Sequence, residues 1–425
     1  MASTDYRTYR ENPSLHEPFL ARAADSSSPE PANKGLGAFL TLRLIDHFAA
    51  DQGEPHREAT SYQITATGEF LDDLYPSTPE VTHLREIVRV AATAIAESDR
   101  RLLFAPLLAF AYWLEQELRL DEALDVLSTA LRLSDGRDSE EEVAAHLTQG
   151  RVLRLRGEFD AARSSYHRCG QIAAKLGDDH SVLLSRIGHA VVLQRVGNLP
   201  ESERVLREVV AQAHGLGDRD AEARACHDLG GTLYFGGRAR EAIPLLYRAY
   251  ELHQSPLRQA RALSDTGSLL IEIGCYEAAN HAFRLVLSNH PPREVRIRTV
   301  LELLELSALV RDRISFERWR QELAHRREQL APDEQVDFEL KSGCGLGQFG
   351  LAGPGEKHLR AAVKLAEQYG MGERIFHAEE KLKELREHRT ADDRGSALPP
   401  ETLKDEPSLA DTLVRLEAMA ADVVG

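Results

Sequence analysis

The chain has 425 residues, 42% hydrophobic and 28% charged, with a formal net charge of −16 at pH 7. That composition suits a folded protein longer than one ordinary compact domain, and its acidic balance argues against nucleic acid as a partner for the whole molecule. No stretch is apolar and long enough to span a bilayer: the longest run, Leu102 to Leu114, is broken by Pro106.

Residues 1–34 are polar, carry both charge signs and lack the apolar core of an export signal. They predict a disordered or loosely docked tail. Cys169, Cys226, Cys275 and Cys344 are far apart with no CxxC pair. That spacing argues against a zinc knuckle or a disulfide framework and for a reducing, cytoplasmic setting. Residues 35–103 predict a helical cap in three segments, Leu36–Ala50, Glu58–Tyr75 and Pro79–Glu97, the last with a proline suited to a first helical turn.

From Phe104 a repeat sets in. Gly157, Gly197, Gly237 and Gly274 are spaced by 40, 40 and 37 residues, each between two amphipathic stretches. A second ruler runs beside them: Lys175-Leu176-Gly177-Asp178 and Gly215-Leu216-Gly217-Asp218 are also 40 residues apart. A fixed period of this length marks stacked helical hairpins. The unit from Arg293 to Leu330 is degraded, with Ile314 at the expected turn and Trp319 at the expected small position. A unit from Asp333 to Tyr369 recovers Gly347, Leu359 and Ala366, and a helix over Glu373–Glu387 closes an array spanning 104–387. Residues 388–407 read as a linker and 408–425 as an amphipathic helix with Leu409, Leu413, Leu416 and Met419 on one face. A helix capping the last repeat is its expected role, ahead of groove blocking or a homodimer contact, because solenoid ends expose an apolar face.

Motifs for chemistry are sparse. Gly345-Leu346-Gly347-Gln348-Phe349-Gly350 matches GxGxxG but lacks the preceding buried strand that a dinucleotide site needs. A mobile inter-helix loop is the expectation there. The histidines show no HExxH spacing, and no GxSxG or P-loop occurs. Neither enzyme activity nor a cofactor or metal is expected. Tyr234 and Phe235 suggest an aromatic platform, although packing against the next unit is the commoner use of such a pair; Trp113 and Trp319 have the same packing expectation.

The small residues give the repeat a family likeness. Gly150, Gly157, Ala162 and Cys169 recur as Ala190, Gly197, Ser202 and Val209, then Gly230, Gly237, Ala242 and Ala249, then Gly267, Gly274, Ala279 and Val286, with Pro291 closing the last. An earlier unit has Ala111, Ala123 and Ala130, with Leu118 in place of the turn glycine. Small residues let two helices cross closely, and the turn needs positive φ. The pattern resembles the tetratricopeptide-repeat family, in a long-period variety similar to arrays of bacterial signal-responsive regulators and adaptors. The resemblance implies an all-α, right-handed superhelical solenoid with an N-terminal helical cap, whose first helices line a concave groove. Carried over by position, that groove holds Tyr112, Glu115, Gln116, Arg151, Arg154, Gln194, Arg195, Arg224, His227, Tyr234, Arg261 and Glu272. Its five arginines suggest capture of an acidic peptide or a C-terminal carboxylate; neutralisation by neighbouring carboxylates is the ordinary alternative. The expected function is a non-catalytic scaffold or adaptor for a peptide or partner protein, without nucleic acid or membrane. The alternative is a bacterial peptide-responsive sensor acting through a partner.

Overall fold

The computed structural model describes residues 15–25, 28–50, 57–74, 78–134, 138–387 and 406–424, and among them every regular element is helical. The expected all-α solenoid of helical hairpins is the observed architecture. The chain divides into two compact units, Met1–Asn198 and Leu199–Gly425.

The first unit holds α1 (Glu17–Ala23), α2 (Pro29–Ala50), α3 (Arg57–Asp72), α4 (Pro79–Glu97), a 3-10 turn over Arg100–Leu103, α5 (Phe104–Gln116), α6 (Leu120–Arg132), α7 (Glu140–Arg156), α8 (Phe159–Leu176) and α9 (Asp179–Arg195). The expectation of a loose tail over 1–34 is corrected from residue 15 onward; residues 1–14 and 26–27 lie outside the described residues. Helix α1 is held by burial and charge. Phe19 is fully buried and stacks on Phe110 with centroids 6.3 Å apart. Arg22 grips Glu80 at 2.5 and 3.2 Å, and Arg119 shares the same carboxylate at 2.8 Å. Isolated, a seven-residue helix would not form; these contacts make it.

His16 precedes α1 with φ 64° and is 1% exposed. Its ring sits 2.7 Å from Asp125 and 3.0 Å from Asp46. Burial alone would lower its pKa, but the two carboxylates outweigh it and the value rises above 6.5. Attachment of α1 is then strongest below about pH 6.5 and is lost as pH rises through the folded pKa. Protection of the α1 amides against hydrogen exchange, corrected for intrinsic rate, is expected to fall as pH rises above about 6.5. A His16→Gln variant is expected to show a flat profile; an equally steep one would remove His16 as the cause.

The second unit holds α10 (Leu199–Leu216), α11 (Arg219–Phe235), α12 (Ala239–Leu252), α13 (Pro256–Glu272), α14 (Tyr276–Ser288), α15 (Arg293–Leu309), α16 (Arg313–His325), a 3-10 turn over Arg327–Gln329, α17 (Pro332–Gln348), α18 (Ala352–Gln368), α19 (Gly372–Arg386) and α20 (Pro407–Val424). Consecutive helices from α10 to α15, and again from α17 to α19, pack against one another.

Both sequence rulers have a backbone cause. Gly157, Gly197, Gly237 and Gly274 adopt φ of 75–86°, the left-handed conformation that ends a helix and reverses the chain. Gly177 and Gly217 do the same between hairpins, at 72° and 71°. The following aspartate then caps the next helix: Asp178 accepts from the Ser181 amide and Asp218 from the Ala221 amide, each at 3.0 Å. Leu118 takes this turn conformation at φ 57° without being glycine. Its side chain is 75% exposed, so nothing packs to offset a strain of about 1 kcal/mol.

Register shifts in the later hairpins. The α15–α16 turn residue is Arg311, at φ 58°, not Ile314, which lies in the first turn of α16 and is 86% exposed. The α17–α18 turn residue is Gly350, at φ 75°, and the small residue of α17 set against Leu359 is Gly343, not Gly347. The expected mobile loop over Ser342–Gly355 is instead the end of α17, a short turn and the start of α18. Its glycines are contact points: an added Cβ at Gly343 would sit 2.6 Å from Leu359, and one at Gly345 would overlap the buried Phe316 ring. The GxGxxG stretch thus closes a helix instead of opening one.

The linker expected over 388–407 lies, as far as Asp405, outside the described residues. The capping role expected of the last helix is corrected. α20 packs on α12 and α14, with Leu409 and Leu416 each 1% exposed. Charge and shape select that place, since Glu406 pairs with Arg240 at 3.1 Å and Arg415 with Glu251 at 2.8 Å.

Candidate functional site

The position-by-position expectation places its residues in both units, and each set has its own geometry. In the first unit Arg151, on α7, forks onto Glu115 of α5 at 2.5 and 2.6 Å and lies 5.8 Å from the Tyr112 ring centroid. Glu115 is 4% exposed, so this fork is a desolvated strut between successive first helices. Burial would lower the Arg151 pKa, but Glu115 raises it. Tyr112 and Gln116 are exposed, and Arg154 is half-buried with an unpartnered Nε. Near the end of α9, Gln194 is half-buried and Arg195 exposed.

In the second unit the first helices α11, α13, α15 and α17 enclose a groove of about 1090 Å³, with Arg240, Leu246 and Tyr276 of α12 and α14 at its border. Of the expected residues His227, Tyr234 and Glu272 line it; Arg224 and Arg261 do not. Arg224 is 2.7 Å from Asp220, which also takes Arg258 at 3.2 Å, and Arg261 meets Glu294 at 3.1 Å. The arginine stripe is therefore largely engaged by this chain's own carboxylates.

Tyr234 and Phe235 are 40% and 60% exposed, with rings 5.6 Å apart. The packing role expected of them is corrected: both face the groove, because the left-handed turn at Gly237 follows at once and carries the chain away. Burial, then Glu272, raise the Tyr234 pKa. Trp113 stacks on Phe110, and Trp319 packs beside the core around Phe316.

Several groove residues escaped the sequence reading: Asp265, Arg298, Glu302, Glu305 and Lys341. Lys341 bridges Glu302 at 2.8 Å and Glu305 at 2.7 Å. Burial opposes its charge, but the two carboxylates more than compensate and its pKa rises. Arg298 is 68% exposed, and its carboxylate partner Asp265 lies 4.0 Å away. A signal for these existed: the same helix positions, counted back from turns at Arg311 and Gly350, fall on Arg298 and near Lys341.

His227 is 3.0 Å from Asp265. Burial opposes its protonation, yet Asp265 raises its pKa. His253, 6.1 Å behind it and 4% exposed, is driven down to about 4 by burial and by His227. Separate ion pairs join α11 to α13 (His227–Asp265), α13 to α15 (Arg261–Glu294) and α15 to α17 (Lys341–Glu302); Arg374 on Asp337 at 3.1 Å joins α17 to α19. The groove presents apolar aromatic surface and fixed charges of both signs.

Among the described residues no three His, Cys, Asp or Glu side chains come together as a metal-ligand set, and no helix is long and apolar enough to cross a membrane. The Cys169 and Cys226 thiols are buried and pushed up to about 12 by burial.

A family model described as tetratricopeptide repeat matches residues 179–255. No curated protein matches the chain. Among solved structures, the apo form of the quorum sensor NprR from B. thuringiensis superposes with a TM-score of 0.52 at 12% identity, over 82% of this chain and 92% of that one. A STAND protein with a tetratricopeptide repeat sensor from Pyrococcus horikoshii gives 0.48 at 13% identity, over 96% and 68%. A Rap protein complexed with competence and sporulation factor gives 0.45 at 12%, over 84% and 98%. At such identities the likeness is one of fold.

Proposed function

The chain carries tetratricopeptide repeats, and from that premise we propose that it is a non-catalytic binding protein that takes a peptide, or a peptide segment of a partner protein, into the groove of residues 199–425. One observation carries this reading: about 1090 Å³ of groove combines exposed aromatic rings with charges already positioned by intramolecular pairs. A preformed surface of this kind lowers the ordering cost of binding.

The acidic or C-terminal-carboxylate preference moves from the paired arginines to Arg298, whose 4.0 Å pair leaves most of its guanidinium hydration and bonding capacity for a ligand. Tyr234 and Phe235 would hold an apolar side chain of the same peptide. A random heptapeptide library with free or amidated C-termini tests this by fluorescence polarisation. Selected peptides are expected to lose about tenfold in affinity on amidation and in Arg298→Glu. Binding indifferent to both changes would remove the carboxylate reading. Failure of the chain to retain any peptide would remove the groove reading.

A further inference from the structure

Helices α12 and α14 carry a further helix in a seat that shares Arg240 with the border of the groove. On α20, Leu409, Leu413 and Leu416 share one side, the first and last almost fully buried. The seat matches charge at two places: Arg240 meets Glu406, just before α20, and Glu251 meets Arg415. The Tyr247 hydroxyl lies 3.2 Å from the Met419 sulfur. This helix is no member of the hairpin series, since it lies on α12 and α14, far earlier in the array than its own place in the chain.

Its fit is incomplete. A cavity of about 530 Å³ opens beside Leu413, lined by Cys275, His281, Val310 and Trp319. A second, of about 690 Å³, opens beside Leu409 against Leu233, Pro244 and Ile273. Open clefts of this kind leave room for contacts that a bulkier side chain would make.

We infer that the α12–α14 face is a docking site for an amphipathic helix of a partner protein, and that α20 fills it in cis until such a helix displaces it. The partner helix has three apolar anchors at the spacing of Leu409, Leu413 and Leu416. It has a carboxylate one turn before the first anchor, a guanidinium just past the second, and an aromatic side chain where α20 has Leu413. Tethering gives α20 an effective concentration of order millimolar, so a competitor needs the extra contacts that the cleft offers. This goes beyond the groove reading and uses the second helices of the same hairpins, with Arg240 common to both.

The probes are fluorescent synthetic peptides of residues 406–424, one with the native sequence and one with Leu413→Trp. The proteins are the intact chain and Leu409→Asp/Leu416→Asp, which lifts α20. The tryptophan peptide is expected to bind the lifted variant about tenfold more tightly than the native peptide does. The intact chain is expected to bind either peptide at least about a hundredfold more weakly than the lifted variant. No saturation of the lifted variant up to about 1 mM, with its circular dichroism retained, would overturn the proposal, as would equal affinity of the two peptides. Should the lifted variant misfold, Arg240→Glu/Glu251→Arg is tested with a peptide carrying Glu406→Arg and Arg415→Glu. Preference for the reversed peptide supports the seat, and indifference to reversal overturns it.

Discussion

Gly345→Ala is expected to lower the stability of the Leu199–Gly425 unit by about 3 kcal/mol, the upper range for forcing one methyl into a filled core. The added Cβ would overlap the Phe316 ring and lie 3.1 Å from the Ala308 Cβ. Phe316 is 0% exposed, so its ring has nowhere to retreat without displacing the cluster of Ile297, Leu304, Ala308 and Leu346. The control is Gly353→Ala on α18, where nothing lies within 4 Å of the new methyl; it is expected to be neutral or stabilising by up to about 1 kcal/mol. Thermal unfolding of both variants decides the matter. Equal melting temperatures would mean that Gly345 is not a packing residue.

Lys341→Met is expected to cost about 3 kcal/mol, because it removes the cation that holds two carboxylates at one place. Glu302 and Glu305 have side chains 19% and 31% exposed, so solvent compensates them only partly once the ammonium is gone. Adding Glu302→Gln and Glu305→Gln to Lys341→Met is expected to restore most of the loss, since neutral amides carry no such repulsion. A triple variant as unstable as the single would show that the lysine stem, not its charge, supports the groove floor. Urea unfolding followed by circular dichroism reads both outcomes.

The repeat was legible wherever one residue alone fixes the backbone. A glycine at positive φ followed by a capping aspartate is a local device, and Gly177-Asp178 and Gly217-Asp218 announce it without tertiary information. Register failed where the turn residue was not glycine, at Arg311, and at the glycine-rich end of α17, where Gly343, not Gly347, meets Leu359 of α18. That slip hid Arg298 and Lys341. Helix position also indicated which arginines face inward without indicating their partners. Arg151 meets Glu115 across 36 residues and Arg261 meets Glu294 across 33, pairings set by how the helices stack. The seat of α20 was out of reach for the same reason: Glu406 is 166 residues from Arg240.

The charged struts between successive first helices differ in their exposure to water, and that grades how they answer to ionic strength. Arg261 and Glu294 are 46% and 70% exposed, whereas Lys341 and Glu302 are 17% and 19% exposed. Mobile ions weaken the former far more than the latter. As salt rises, the α13–α15 joint slackens while the α15–α17 joint holds, so brine changes the stiffness of one wall of the groove and leaves its floor in place.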